Sequence, residues 1–308
     1  KFTIVNASKQ PTHPFNTFDA KFYMHDPDEL YNRIPINYNI EMVRKFSPEN
    51  LSIMEFRTEK DYELCKKIRA EHTLFGELGY NLYTEFHMTN DSSLFHRKEE
   101  IEKKKDQNKV LPLYEGKMIH QFNSAFDEPK YFIYEKEARE QLLQTELRSI
   151  KRQFDLDEKE IKKLKIDLEY QNYRLAYRAI GSSTNERSLI SSIIPPKSFI
   201  GHSMNYLRNY NYEFSKGKLK QTQTSYEEVI VILSLLNSLT LNYYIRNKIS
   251  ANLTMNFIYE LPFPELTKKQ KDYLTTAGLN LLASYNEKKV FNKLFTECGF
   301  TPKIKINS

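Results

Sequence analysis

The scarcity of glycine is the feature of this sequence that most restricts what the chain can form. Only 8 of the 308 residues are glycine, well below the roughly 7% of an average protein. Loops that hold a nucleotide or dinucleotide need glycine where the backbone approaches a phosphate closely. Neither G-x-G-x-x-G nor G-x-x-x-x-G-K-[ST] occurs in the chain. The common nucleotide-binding loops are therefore excluded.

Helix-like segments are recognisable by their periodicity and their start signals. Residues 135–170 carry apolar side chains at three- and four-residue spacing, and an interruption at Asp157 predicts a helical hairpin there. A capping-box pattern predicts a helix start at Thr58. Two further capping boxes predict longer helices, which we expect to be Ser225 to about Lys248 and Thr267 to about Phe295.

Strand-like segments lie between these helices without regular alternation. Short apolar runs bounded by polar turns predict strands at residues 111–123, 130–134, 173–180, 188–194 and 198–204. The charge run at 97–109 predicts a solvated loop. Strands, helices, strands and helices in this order are typical of an α+β fold. We expect a mixed sheet with a helical insertion and C-terminal helices.

Charge and cysteine content restrict the partner and the compartment. Lys and Arg number 46 against 40 Asp and Glu, and a net charge of +6 suits a polyanionic partner without requiring one. Cys65 and Cys298 are too few for a disulfide framework or a zinc site. The longest apolar stretch, around Val229–Leu239, is shorter than the roughly 20 residues of a membrane span. We expect a cytoplasmic protein without membrane contact.

Patterns that would carry catalysis or bind a metal are weak. The seven histidines show no H-E-x-x-H pattern and no neighbouring cysteine pair, so no metal site is predicted. Glu115 and Lys117 form a Glu-x-Lys pattern, with Asp91 or Asp106 upstream, as in magnesium-dependent nucleases. The same short pattern arises often by chance on a solvated strand. We favour that structural interpretation and keep a magnesium nuclease as an alternative.

The segment at residues 173–204 has the composition of a nucleic-acid-binding surface. Its sequence, YRLAYRAIGSSTNERSLISSIIPPKSFIGHSM, interleaves Arg, Asn, Lys and His with hydroxyl groups. Arg and Asn match the edges of guanine and adenine, whereas Lys, Ser and Thr suit phosphates. An equally simple interpretation is that Glu186 and Arg187 fix a turn while Tyr177 and Ile180 pack in the core.

This segment resembles a pattern from the C-terminal halves of large adenine-specific DNA methyltransferases, namely Arg-Leu-x-[Phe/Tyr]-Arg-x-Ile-x-x-x-Thr-[Asn/Asp]-x-Arg-[Thr/Ser]. The family includes fused type II restriction–modification enzymes and BREX phage-exclusion methyltransferases. Four further stretches resemble family segments in the same order: FSPENLSIMEFRTEKDYELCKKI (46–68), FHMTNDSSLF (86–95), LPLYEGKMIHQFN (111–123) and LLNSLTLNYYIRNKISANLTMNFIYELPFP (235–264). The matches extend over about residues 30–270.

The resemblance implies the target-recognition region of such an enzyme and not its methylating region. The family's Asn-Pro-Pro-[Tyr/Phe] motif and Gly-rich S-adenosylmethionine loop do not occur, and Pro195 follows Ile194 instead of Asn. We therefore expect no catalytic residue, metal site or cofactor in this chain. S-adenosylmethionine and the methyltransferase catalytic domain, in the same polypeptide or in a partner subunit, belong to the parent adenine-N6 methyltransferase, which in fused enzymes also cuts DNA.

The resemblance also implies boundaries and contacts. Residues 1–109 would connect to the methyltransferase domain, 110–265 would form the target-recognition domain with its insertion at 135–170, and 266–308 would form a C-terminal helix and tail. Double-stranded DNA is the expected partner. The side chains expected to bind it are Lys117, Arg174, Arg178, Thr184, Asn185, Arg187, Lys197 and His202. A non-DNA interaction scaffold built on the 135–170 helices is the remaining alternative.

Overall fold

The computed structural model describes residues 15–104, 109–182, 185–249 and 252–302. The chain divides into two units, one ending at His72 and the other beginning at Thr73. Both contain helices and strands in several small sheets, which confirms the predicted α+β class. The boundary expected at residue 109 lies inside the second unit, because residues 73–97 supply strands to its sheets.

The first unit combines one antiparallel strand pair with helices. Its elements are β1 (Thr17–Ala20), α1 (Pro27–Asn32), β2 (Ile36–Asn39), α2 (Ile40–Phe46) and α3 (Glu59–Ala70), with β1 pairing β2. The Thr58 side chain accepts from Asp61 N–H and the Asp61 carboxylate accepts from Thr58 N–H, so the predicted capping box is confirmed. Buried aromatic rings around Tyr38 form the core of this unit.

The second unit contains the remaining elements. Its strands are β3 (Thr73–Leu74), β4 (Leu82–Tyr83), β5 (His96–Arg97), β6 (Val110–Tyr114), β7 (Tyr131–Tyr134), β8 (Arg174–Arg178), β9 (Ser191–Ile194), β10 (Phe199–Ile200), β11 (Met204–Leu207), β12 (Tyr210–Ser215), β13 (Lys218–Gln223) and β14 (Pro262–Phe263). Its helices are α4 (Lys98–Lys104), α5 (Glu135–Phe154), α6 (Glu158–Ile161), α7 (Tyr226–Leu236), α8 (Leu239–Arg246), α9 (Met255–Tyr259), α10 (Lys268–Tyr285) and α11 (Lys288–Glu297). The helix α4 replaces part of the predicted loop.

Two four-stranded sheets organise the second unit. One has the order β10-β6-β7-β5, with β10 and β6 parallel, and the other, which we call the central sheet, has the antiparallel order β4-β11-β8-β9. In the central sheet Met204 pairs with Arg178, while Arg174 pairs with Ile194. These pairs define an Arg178 end and an Arg174 end. Strands β8, β9 and β11 are buried almost throughout, so both faces of the central sheet are covered.

The helical segment at 135–170 is a hairpin with one short limb. Helix α5 ends at Phe154, and Asp155 adopts a left-handed conformation with φ 51°. The chain then forms the four-residue α6, and residues 162–168 are not helical. The predicted break is confirmed near Asp157, but the second limb is much shorter than predicted. The predicted strand at 111–123 also ends early, at Tyr114.

Both long C-terminal helices are divided in two by an asparagine. Asn237 separates α7 from α8, and its side chain pairs with the main chain of Ser191 through Nδ2 and Oδ1. Asn286 separates α10 from α11 and donates from Nδ2 to Phe122 O at 2.7 Å. These tertiary hydrogen bonds, which are not visible in the apolar periodicity, explain why each predicted helix is divided. No single helix of the described ranges is long and apolar enough to cross a membrane; α7 and α8 pass that test only as a pair bent by 56°.

Candidate nucleic-acid interface

Three loops meet at the Arg178 end of the central sheet. We call them together the loop cluster: residues 115–127, 178–190 without the undescribed 183 and 184, and 201–203. The N–H of Gly116 donates to Ser203 Oγ at 2.9 Å, and the N–H of Ala179 donates to Ser203 O at 2.9 Å. A side chain at position 116 would place its Cβ 3.0 Å from Ser203 O, a contact tighter than most Cβ contacts, so glycine favours this close approach. Segments distant in sequence thus form one surface.

Arg178 is held at the centre of this surface. Its guanidinium donates from Nε to Ile119 O at 3.1 Å and from Nη2 to the same oxygen. Burial lowers the pKa of the guanidinium. Because the shared acceptor fixes its orientation, the side chain loses little rotational freedom when it binds a phosphate or a guanine edge.

The base of the 178–190 loop is anchored by two buried asparagines. Ser188 N–H and Leu189 N–H donate to Asn242 Oδ1 at 2.9 and 3.1 Å. Asn237 holds Ser191 in the same way. These hydrogen bonds connect helices α7 and α8 to the start of β9 and the chain before it, and they hold the base of the loop in place.

The tip of the same loop presents Asn185 and Arg187. Ser188 Oγ donates to Ser182 O at 2.7 Å, and Asn185 N–H donates to Ser182 O at 3.1 Å, so the loop closes on itself. The Asn185 side chain is exposed. Arg187 is half-buried, and within the described residues its Nη1 is buried without a hydrogen-bond partner. A buried donor of this kind gains most when a ligand supplies an acceptor.

His120 and Phe126 complete the surface, and the sequence analysis did not predict either of them. Their rings stack at 5.1 Å between centroids, and the Phe126 side chain is 56% exposed. Burial lowers the pKa of His120, as do the charges of Arg178 and Arg187, while Glu186 raises it. The imidazole is therefore neutral near pH 7 and offers one donor and one acceptor. An exposed aromatic edge beside it can contact the methyl group of thymine.

Lys117 and His202 lie at the edge of the loop cluster, and both are exposed. Lys117 Nζ is 3.4 Å from Asp127, a solvated pair of little energetic weight. The backbone N–H of Glu128 is the first cause, and Lys117 the second, that lowers the pKa of Asp127. The charges of the loop cluster balance, with Lys117, Arg178 and Arg187 on one side and Glu115, Asp127 and Glu186 on the other.

Arg174 was expected to bind DNA, and the structure contradicts that expectation. The side chain is fully buried at the opposite end of β8. Its Nη1 donates to Glu85 Oε1 at 2.8 Å, its Nη2 donates to Ser198 O, and the guanidinium lies over the ring of Tyr206 at 5.2 Å. The sequence was misleading because the central sheet is covered on both faces, so an arginine between apolar neighbours is internal.

Two further predicted residues do not join the loop cluster. Lys197 is exposed but follows Ile194 at the Arg174 end of the central sheet, where its N–H donates to Tyr170 O at 2.8 Å. Thr184 lies outside the described residues. Of the eight residues predicted to bind DNA, the loop cluster therefore brings together Lys117, Arg178, Asn185, Arg187 and His202.

The Glu-x-Lys pattern does not coincide with a group of metal-binding side chains. Lys117 faces Asp127, and the Asp91 carboxylate accepts from His87 N–H and from Gln141 Nε2, both at 2.7 Å. Asp106 lies outside the described residues. Among the side chains that the structure describes, no three or more His, Cys, Asp or Glu residues are grouped so that they could hold a metal ion.

No model of a protein family matches the chain, and no curated protein matches it significantly.

Proposed function

We propose that this chain is the DNA sequence-recognition module of an adenine-N6 DNA methyltransferase of the restriction–modification or phage-defence kind. The loop cluster carries the proposal. Stretches at 111–123 and 173–196 that resemble methyltransferase segments come together there, and they present Arg178 and Arg187 on one surface. Guanidinium groups are the side chains that most often recognise guanine in the major groove.

The parent enzyme would divide its work between two parts. This module would bind the recognition site in duplex DNA while the target adenine is flipped out of the helix. A methyltransferase catalytic domain, in the same polypeptide or in a partner subunit, would bind S-adenosylmethionine and transfer the methyl group. We place this activity in the cytoplasm, where the DNA is.

Within the loop cluster the proposal assigns two kinds of contact. Arg178, Asn185 and Arg187 would contact base edges, because the Arg178 guanidinium is held by Ile119 O, the Asn185 side chain is exposed, and Arg187 Nη1 is a buried donor to which a base could supply an acceptor. Lys117 and His202, which are exposed at the edge, would contact phosphates. Phosphate contacts position the module, and base contacts give it specificity.

A selection from a library of random duplexes tests this proposal with the chain itself. We expect the chain to enrich a short sequence, and we expect Arg178→Ala with Arg187→Ala to lose that preference. Arg44→Ala, an exposed arginine of the first unit, is the matched control and should leave the preference unchanged. Failure of the wild-type chain to enrich any sequence would contradict the proposal. Magnesium-dependent cleavage that is abolished by Glu115→Ala would favour the nuclease instead.

A further inference from the structure

A second group of basic residues lies at the end of the central sheet opposite the loop cluster. Strand β11 runs from Met204 at the Arg178 end to Leu207, and Arg208 then leads into the hairpin β12–β13. The hairpin and residues 148–167 of the helical insertion together form what we call the basic arm: residues 148–167 and 210–223. The basic arm holds ten Lys and Arg against six Asp and Glu, which gives it a net charge of +4.

The basic arm has a hydrophobic cluster of its own. Apolar side chains from the helices and from one face of the hairpin form it: Ile150, Leu156, Ile161, Leu164, Tyr212, Phe214 and Leu219. The Gln221 side chain adds two hydrogen bonds to the main chain of Asp167, donating to its oxygen at 2.8 Å and accepting from its N–H at 2.9 Å. The helices therefore cover the apolar face of the hairpin, and its polar face is left to solvent.

Lysines dominate that polar face. Phe214 pairs with Leu219 on the covered side, so the pairs Glu213–Lys220 and Ser215–Lys218 project to the other side, because successive strand residues alternate. Lys218 and Lys220 are exposed. Glu213 lies 3.4 Å from Lys220, and both side chains are more than two-thirds exposed, so this pair is weak and Lys220 can exchange Glu213 for a phosphate.

The turn of the hairpin places another lysine, Lys216, at the tip, in a left-handed backbone conformation that lysine rarely adopts. Lys216 and Gly217 form a two-residue turn with φ angles of 51° and 71°. Such turns favour Asn or Gly at the first position, because in the left-handed region Cβ lies too close to the following carbonyl oxygen; Gly has no Cβ, and Asn compensates with a local hydrogen bond. Lys216 thus lowers the stability of the turn, and a strained residue of this kind is typical of a position that binds a ligand.

From this geometry we infer that the basic arm is a second nucleic-acid contact, which holds the phosphate backbone of a duplex without recognising its sequence. The inference rests on the proposed function and adds to it. Lysine ammonium groups bind phosphate as point charges, whatever the neighbouring base. The polar face of the hairpin, all of which is described, carries no apolar side chain. Insertion into a lipid surface would require one, so the observations favour nucleic acid over a membrane.

A salt titration of DNA binding tests the inference. The arm variant combines Lys216→Asn, Lys218→Gln and Lys220→Gln. The control variant combines Lys268→Gln, Lys269→Gln and Lys271→Gln, which removes the same charge from exposed positions of α10. Binding of a labelled random-sequence duplex is measured by fluorescence anisotropy from low to moderate salt. We expect the arm variant to reduce the slope of log affinity against log salt by about 2 to 3, because each lost phosphate contact removes about 0.9. The control should keep the wild-type slope.

A single substitution separates binding from folding. Lys216→Asn should keep or raise the melting temperature, because Asn suits the turn, and should still reduce the slope by about 1. Equal slopes for the arm variant and wild type, or equal losses in arm and control variants, would overturn the inference and leave the proposed function standing. Tighter binding to anionic vesicles or to polyglutamate than to the duplex at the same salt would overturn the inference as well. A wild-type chain that binds no duplex would instead overturn the proposed function itself.

Discussion

The loop cluster and the basic arm lie at opposite ends of one sheet and differ in almost every physical property. In the loop cluster positive and negative charges balance, and Arg178 is fixed by a main-chain acceptor. In the basic arm positive charges prevail, and the exposed lysines of the hairpin have weak partners or project freely. An ordered arginine suits the recognition of a particular base, whereas loosely held lysines suit phosphates of any sequence.

Arginine content alone is therefore a poor guide to a DNA contact. The 173–204 segment was chosen for its basic residues, yet Arg174 is internal and Lys197 is at the other end of the sheet. Three exposed lysines, Lys216, Lys218 and Lys220, lie instead in residues 210–223, where no DNA contact was predicted.

Replacing Arg174 with alanine should produce the largest effect. It would leave the Glu85 carboxylate buried without its guanidinium, although Ile200 N–H would still donate to it at 2.7 Å. Loss of one partner of a buried pair costs about 3–5 kcal/mol, which urea unfolding would measure. The double change Arg174→Met with Glu85→Leu should recover much of that stability. A loss below about 1 kcal/mol for Arg174→Ala would contradict the structural role given to this arginine.

Ionisation of Glu169 should destabilise the start of the hairpin β12–β13 and leave the loop cluster unchanged. Glu169 accepts from Asn209 N–H and Tyr210 N–H, where the hairpin begins, and burial raises its pKa to about 7. Because folding raises the pKa of Glu169 from 4.5, this residue contributes about 3 kcal/mol to the free energy of unfolding below pH 4.5. That contribution is lost as the pH rises through 7. The melting temperature of the wild type should therefore fall between pH 5 and 8, and that of Glu169→Gln should fall less. The control Glu213→Gln, at an exposed position, should show the same pH dependence as the wild type. If the melting temperatures of Glu169→Gln and wild type change in parallel with pH, the role given to Glu169 is wrong.

Replacing Gly181 with alanine should disturb the loop cluster without affecting the basic arm. The added Cβ would lie 2.4 Å from Ser188 O, a main-chain atom that cannot move without opening the loop. Overpacking of this kind costs about 1–3 kcal/mol. We expect a weaker sequence preference and an unchanged salt slope. Gly76→Ala is the control, because its added Cβ would lie 3.2 Å from Tyr259 Cβ, which is a milder contact. A changed slope with an intact preference would reverse the roles assigned to the two regions.

Replacing Lys197 with alanine should have the smallest effect. Lys197 is exposed at the Arg174 end of the central sheet, with φ 60°, and alanine keeps the same backbone strain. We expect the salt slope to fall by about 1 or less, equally for all sequences, and the preferred sequence to stay the same. Anisotropy with a matched and an unmatched duplex measures both quantities. A change in the preferred base would show that Lys197 belongs with the loop cluster.

Features set by neighbouring residues were predictable from the sequence. The capping boxes at Thr58 and Thr267 and the break near Asp157 depend on side chains within a few positions of the backbone they bind, and all are confirmed. The hairpin β12–β13 was locally encoded too, through the alternation of residues 210–215 and the turn at Gly217, but was not predicted.

Features set by distant residues were not predictable. The helix breaks at Asn237 and Asn286 depend on hydrogen bonds to loops elsewhere in the chain. The burial of Arg174 depends on Glu85, which follows β4 and lies 89 positions earlier in the chain. The loop cluster depends on strand pairing that brings residues 115–127 beside Arg178. Periodicity describes one segment at a time and contains no such contact.

The most direct test compares the two regions in one experiment. Sequence preference from a duplex library and salt slope from anisotropy are measured for wild type, for Arg178→Ala with Arg187→Ala, and for the arm variant. We predict that the first variant loses the preference while its slope falls by at most about 2, and that the arm variant keeps the preference while its slope falls by about 2 to 3. If both variants lose preference and slope in the same proportion, the division between base recognition and backbone binding is wrong.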